Sequence, residues 1–550
     1  MVTAKKIVTL ACLTFACTLP LQAFESSSPF DDLSFMLTED QDFLKADIPE
    51  ATMEFTPTDI AFNLVNFNAH KILQNELFLR TNDLNTRDII YSPLFIRQKE
   101  DNYYFDSIVG LHLFYNQTHR MNFTKDSTSI NSYLAISEPN LLDAIKESVA
   151  IIQKLNIGFN IDPINILPLF DNATIQERKV GLMATMEKNW GRYSLRGIVP
   201  LYWVERNLFL TDKEQKAIEQ ELGVLGKEDQ DEFAENHLIS DKLGFGDSLV
   251  TFDALILNTD DYKIGTRLGL VATVPTAWAF KKGLKGSNFP KSDAMPQFNF
   301  GELFAQVGAQ NADEVMQNLL FPVVDHLAAN ILDVDLGNKG HFGLGGIMRN
   351  EIPWRHYVNH PWVHNLKWTS SLSLQYMFPN KEKRYYIQKS DVAAFDALNL
   401  NNRSIDEIQE QILADPEYAE QVVNLLQTEF VETLYPFVFK TSVFPGVVFQ
   451  WTPRLMYEGR RLGFDAGADF WIQGPEHLRN INKTPQCPTD LNIDIATKPT
   501  AYQTKVLASL FYTGYRDTHD IVVSLNGDKT IQSSGIGKDF TVTLNIEANF

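Results

Sequence analysis

Cysteine is nearly absent: Cys12, Cys17 and Cys487 are the three in 550 residues. Cys12 and Cys17 fall in residues 1–23, which read as a cleaved secretory signal, so Cys487 would be left without an internal disulfide partner. Exported eukaryotic modules of this size usually carry bridges, so the scarcity points to a bacterial envelope. Long apolar runs are scarce as well. The run at residues 7–19 follows Lys5 and Lys6 and precedes Leu21-Gln22-Ala23. That is the layout of a signal peptide, and it is short of the roughly 20 residues a spanning helix needs. No later stretch is long and apolar enough to cross as a helix. Positive charge is short too: 48 Lys and Arg face 69 Asp and Glu, a formal charge of -21. Removing Lys5 and Lys6 takes it to -23 (-21 minus 2). A balance this acidic argues against nucleic acid as a partner. Enzyme signatures are missing: there is no GxSxG elbow, HExxH, P-loop or paired-cysteine motif. The chain reads as a non-enzyme that needs no cofactor.

What the chain has is alternation. It ends "DFTVTLNIEANF", with Phe540, Val542, Leu544, Ile546, Ala548 and Phe550 on one parity and Thr541, Thr543, Asn545, Glu547 and Asn549 on the other. A strand shows one face per parity. "NLKWTSSLSLQYMF" sets Trp368, Leu372, Leu374 and Tyr376 against Lys367, Thr369, Ser371 and Gln375. The same period runs through residues 262–274, 461–473 and 501–513. The full set of expected strands is 90–97, 105–115, 128–136, 179–187, 191–203, 247–258, 262–275, 340–352, 365–378, 445–457, 461–473, 501–513, 519–526 and 538–550. Several run about 12 to 14 residues, longer than the 5 to 6 of soluble sheets and enough for a tilted membrane strand. The connections alternate between short and long, as periplasmic turns and extracellular loops of a barrel do. Counting back from Phe550 puts the short turns on the side of the C-terminus. Trp190, Tyr193, Tyr262, Tyr457 and Tyr512 fall beside that side, and Trp203, Trp278, Phe378 and Tyr502 near the other, as two interfacial girdles would.

These strands, turns and girdles resemble those of bacterial outer-membrane β-barrel proteins. The last strand, with Phe540, Val542, Leu544, Ile546 and Phe550, looks like the signal that the barrel-assembly machinery of that superfamily reads. The outline is also similar to fatty-acid-uptake-type transporters, but their Asn-Pro-Ala signature is absent after Ala23, and no family is assigned. The fold expected is all-β: a transmembrane antiparallel up-and-down barrel of about fourteen strands, with twelve or sixteen left open. Its expected divisions are a signal at 1–23, a periplasmic or plugging segment at 24–89 and the barrel at 90–550. Residues 211–237 and 404–430 read as helical insertions in extracellular loops, the second opening on a Ser-x-x-Glu capping box and broken near Pro416.

The remaining question is what lines the interior. Parity places Lys179, Arg192, Arg196, Lys263, Arg267, Arg349, Lys367, Arg454, Arg461 and Lys505 inside, against Glu187, Asp247, Asp253, Glu351, Asp465, Asp469 and Glu547. That wall is mixed and slightly basic, which would favour small polar or anionic solutes. The bland alternative is that the charges pair across strands and fill the space. In "RHYVNHPWVH", His356, His360 and His364 recur every four residues, a spacing that would stack imidazoles for a metal on a helix. Pro361 breaks such a helix, so interfacial residues in a turn are the preferred reading. The expected function is a porin-like outer-membrane channel whose partners are lipid, the assembly machinery and small solutes. The alternative is a surface adhesin that binds other cells through its long loops.

Overall fold

The computed structural model describes residues 107–120, 176–207, 239–258, 265–281, 334–354, 360–386, 437–483, 496–516 and 519–549, with a few isolated positions besides. In chain order the strands are β1 (Ser107–Arg120), β2 (Gln176–Trp190), β3 (Tyr193–Asn207), β4 (Ile239–Phe245), β5 (Ser248–Asn258), β6 (Gly265–Val274), β7 (Trp278–Lys281) and β8 (Gly343–Pro353). They continue as β9 (Leu366–Met377), β10 (Asn380–Tyr386), β11 (Phe437–Phe444), β12 (Val448–Glu458) and β13 (Leu462–Gln473). The last are β14 (His477–Arg479), β15 (Ala501–Arg516), β16 (His519–Ser534) and β17 (Lys538–Asn549).

Twelve of them close on themselves. The order runs β1, β2, β3, β5, β6, β8, β9, β12, β13, β15, β16, β17, each antiparallel to the next, and β17 returns to β1. The seam pairs Ile108 with Asn549 and Thr118 with Asp539. Closure gives every wall strand a neighbour on both sides, which a bilayer requires because lipid cannot satisfy backbone N–H and C=O groups. Each of the twelve coincides with an expected strand. The other two expected segments, 90–97 and 128–136, lie outside the described residues.

Burial is inverted relative to a soluble protein. His112, Asn116 and Asn545 are wholly buried, whereas Leu111, Leu113 and Leu544 are 41–49% exposed. The exposed band continues around the wall through Val180, Val199, Leu268, Leu270, Leu374, Phe464, Leu510 and Leu525. Water would penalise an apolar surface this continuous, and lipid does not. Exposed aromatics stand at both ends of the band. Trp190, Tyr193, Trp362 and Tyr512 mark the end near the C-terminus, and Trp278, Phe280, Tyr376 and Phe378 the opposite end.

The hairpins follow from local chemistry. Gly191 sits at φ 58° in the two-residue turn between β2 and β3, a conformation that favours glycine. Gly181 on β2 has no room for a side chain, because a Cβ there would strike the Leu201 carbonyl and Tyr202. Phe114 and Tyr202, on the flanking strands, meet over that gap with ring centroids 6.1 Å apart. One ladder is interrupted. Between β12 and β13 the pairing runs to Trp451–Phe470 and resumes at Arg454–Gly467, and Pro453 in the break has no N–H to donate.

Two departures from the expected plan concern the far end. Strand β16 extends to Ser534 rather than 526, so it meets β17 through a three-residue turn, 535–537, with Gly535 at φ 65°. The alternation of short and long connections therefore fails at this outer hairpin. Five strands were not anticipated. β4 and β7 continue β5 and β6 past the rim, and β10, β11 and β14 form a three-stranded sheet beyond β9, β12 and β13. β10 reads "NKEKRYY": Lys381 and Lys383 face out while Glu382 and Arg384 are buried. It alternates in exposure without alternating in hydropathy, because no lipid presses on either face. In the 404–430 insertion, Gln411, Ala414, Glu417, Tyr418 and Gln421 are helical. Asp415 caps the second piece, its Oδ1 accepting from the backbone N–H of Glu417 at 3.0 Å and Tyr418 at 3.3 Å. The 211–237 insertion lies outside the described residues.

Candidate functional site: the barrel lumen

The inward parity carries most of the polar side chains, and at the closing seam they form a network around one carboxylate. Asp539 is its centre. Its Oδ1 accepts from Gln503 Nε2 at 2.7 Å and Thr530 Oγ1 at 2.7 Å. Its Oδ2 accepts from Asn116 Nδ2 at 2.6 Å and Lys505 Nζ at 2.8 Å. Lys505 also reaches Asp528 at 2.8 Å, and its side chain is wholly buried. Four strands, β15, β16, β17 and β1, are thus joined by side chains as well as by their ladders. Beside this knot, His112 bridges Asn545 Oδ1 at 3.0 Å and Thr185 Oγ1 at 2.9 Å.

Further round, cation–carboxylate pairs follow one another. Arg454 holds Asp465 through Nε at 3.2 Å and through its second terminal nitrogen. Lys367 lies between Glu351 at 3.2 Å and Glu458 at 2.5 Å. Lys179 and Arg206 share Glu177, at 2.7 and 2.6 Å. Asp469 accepts from Gln450 at 2.8 Å and Thr452 at 2.6 Å. In a second shared group the two cations are direct cross-strand partners: Arg267 and Arg349, opposite each other on β6 and β8, share the carboxylate of Asp253.

At the outer mouth returning chain packs against the wall. Residues 334–340 fold back, so that Val334 and Leu336 are buried in one cluster with Tyr202 and Val204 from the inner face of β3. The Tyr202 hydroxyl donates to the Leu336 carbonyl, and Lys242 to that of Val334. Asp247 fastens this segment, accepting from the Ala277 N–H at 3.0 Å and the Asn338 N–H at 2.5 Å. On the other side, Ile536 from the β16–β17 turn packs with Met377, Val448, Trp471 and Ala501.

Beyond the rim, the three-stranded sheet holds a compact charge cluster. His341 Nδ1 lies 2.8 Å from the Phe378 carbonyl and its Nε2 lies 2.5 Å from Glu382. Arg384 is fully buried against Glu382 at 3.2 Å and Glu476 at 3.0 Å. Burial pushes the Glu382 carboxyl up, but Lys339, the hydrogen bond from His341 and Arg384 outweigh it and hold the group well below the usual carboxylate range. Asp335, exposed beside Lys339, is lowered as well, and Arg384 is raised by its two glutamates against burial.

The structure places Arg196, Arg267, Arg349, Lys367, Arg454, Asp465, Asp469 and Lys505 inside the barrel, as parity anticipated. Arg192 and Arg461 instead stand exposed in turns on the C-terminal side, one residue past the end of the wall strands they were assigned to. Lys263, His356 and Phe550 lie outside the described residues. His360 and His364 are exposed in the short turn that contains the helical stretch Pro361–Asn365, and His360 packs on Trp362 at 5.9 Å. Phe540 is half-buried on the lipid side, and Val542, Leu544 and Ile546 face lipid. Sequence reasoning missed Glu177, Arg206, Glu458 and Asp528, which sit on strands that run past their expected ends. Asp539 opens an expected strand and was legible by parity alone. With these included, the described wall is no longer basic.

No protein-family model matches the chain, and no curated protein matches it. Among solved structures, an outer-membrane channel from Pseudomonas putida F1 is similar at 8% identity, covering 82% of this chain and 100% of that one, with a TM-score of 0.36. A toluene transporter from Pseudomonas putida follows at 9%, 82%, 89% and 0.27, and a NanC porin at 7%, 68%, 93% and 0.24. Values this low carry no argument about function. Its own geometry suffices for the class: twelve antiparallel strands closed around a polar interior, with an apolar belt turned outward, make it a β-barrel of the bacterial outer membrane.

Proposed function

We propose that the barrel is a passive channel for small polar solutes, anionic ones included. The observation behind this reading is the set of charged and hydrogen-bonding side chains on the inner face, interrupted by a buried apolar cluster of Ile108, Phe114, Met183, Ile198, Met456, Phe511 and Val522. Eight strands suffice for a barrel that side chains fill, and sixteen to eighteen leave an aqueous channel, so twelve suits a narrow path. Most wall charges are paired, which favours weak ion selectivity over a strong preference for either sign. The apolar collar of Val334, Leu336 and Ile536 supplies a constriction at the outer mouth. Residues 24–89 we assign to a periplasmic or plugging segment. Single-channel recording of the full chain in a planar bilayer, with solutes of graded size, tests the proposal. Discrete conductance steps and a small reversal potential in a salt gradient are expected. A barrel that inserts but passes no current would overturn it.

A further inference from the structure

The lumen's charges are unevenly satisfied, as the group on β5, β6 and β8 illustrates. Arg267 Nε donates to Asp253 Oδ1 at 2.5 Å, and Arg349 Nη1 lies 3.3 Å from Asp253 Oδ2 without hydrogen-bond geometry. Among the described residues, Arg267 Nη2 and both Nη atoms of Arg349 find no hydrogen-bond acceptor. The Arg349 side chain is 6% exposed and that of Arg267 17%. Leaving a buried guanidinium without acceptors costs free energy, since native structures pair nearly all such donors. Register explains the arrangement. Arg267 and Arg349 are direct partners on β6 and β8, so two cations face each other, and Asp253, beside Gly269 on the next strand, is the carboxylate that reaches both.

We infer that Arg267, Arg349 and Asp253 form a binding site in the channel wall for a solute that carries one carboxylate group. Two guanidiniums and one carboxylate leave a net charge of +1, which a single carboxylate balances. The planar fork of N–H groups matches its two oxygens. A phosphate near -2 would over-compensate the site and meet Asp253 at close range. The site is an intermediate stop in the path, and its unbonded nitrogens are buried, so a solute reaches them only when the covering side chains give way. The inference deepens the channel reading and rests on it.

The two ideas are separated by measuring binding and current independently on the full-length protein. Line broadening of ¹³C-labelled acetate in detergent solution reads binding without requiring flux. We expect the wild type to bind acetate, and Arg349→Gln or Arg267→Gln to weaken it about tenfold. Arg349→Lys, which keeps the charge and loses the fork, should weaken it less, and it serves as the fallback if Arg349→Gln does not fold. Inorganic phosphate should compete poorly. Absence of wild-type acetate binding, glutamine variants that bind like wild type, or phosphate that displaces acetate at lower concentration would each overturn the inference. A silent bilayer with intact acetate binding would count against the channel alone.

Discussion

The two sides of the lumen solve the same problem differently. At the seam, Asp539 accepts four hydrogen bonds and Lys505 answers two aspartates, so that one carboxylate is saturated by donors from β1, β15 and β16. Across β5, β6 and β8, two arginines share one aspartate and keep donors in reserve. The first arrangement suits a fixed wall and the second suits exchange with something that passes. A barrel must hold its closure permanently, whereas a path for solutes is useful only where contacts can be made and released.

The largest effect should come from the matched side. Lys505→Met strands Asp528 and Asp539 in a buried site, and removing one partner of such a set costs about 3–5 kcal/mol. Urea unfolding in detergent, with heat-modifiable migration as a second readout, should show it. A variant as stable as wild type would mean the seam network is ornamental. Next comes Gly181→Val, which overpacks the Phe114–Tyr202 contact and should cost about 1–3 kcal/mol by the same unfolding assay. Arg349→Met should be the mildest of the wall changes, within about 1 kcal/mol, because it removes donors that were never satisfied. If it destabilised as much as Lys505→Met, the contrast between the two sides would be lost.

The smallest effect should be confined to the sheet beyond the rim. Glu382 is lowered in the folded state, so its contribution is complete above its ordinary value near 4.5 and is lost as pH falls below it. Hydrogen exchange of β10 and β11 should therefore accelerate between neutral pH and about pH 3, after correction for intrinsic rates, while the β1–β17 seam changes less. Uniform acceleration of both would contradict the assignment.

Much of the wall was readable from alternation alone. Leu372 and Leu374 had to face lipid, Lys367 and Gln375 had to face inward, and the structure places them so. Face follows from parity, but length does not. Strand ends lie where the bilayer stops, and there the apolar signal fades while pairing continues. Asp528 and Glu458 were lost for that reason, and Arg192 and Arg461 were placed in the wall when they belong to turns. β10 was invisible because its two faces are both polar. The sharing of Asp253 by two arginines depends on cross-strand register, which no single strand's sequence contains.

The missing rung beside Pro453 has its own consequence. The ladder lacks a bond here because proline brings no donor. Gln450 and Thr452 both reach the Asp469 side chain across the same gap, a strap that keeps the two edges together. Cutting that strap, rather than any single backbone bond, is how the staves would first be pried apart.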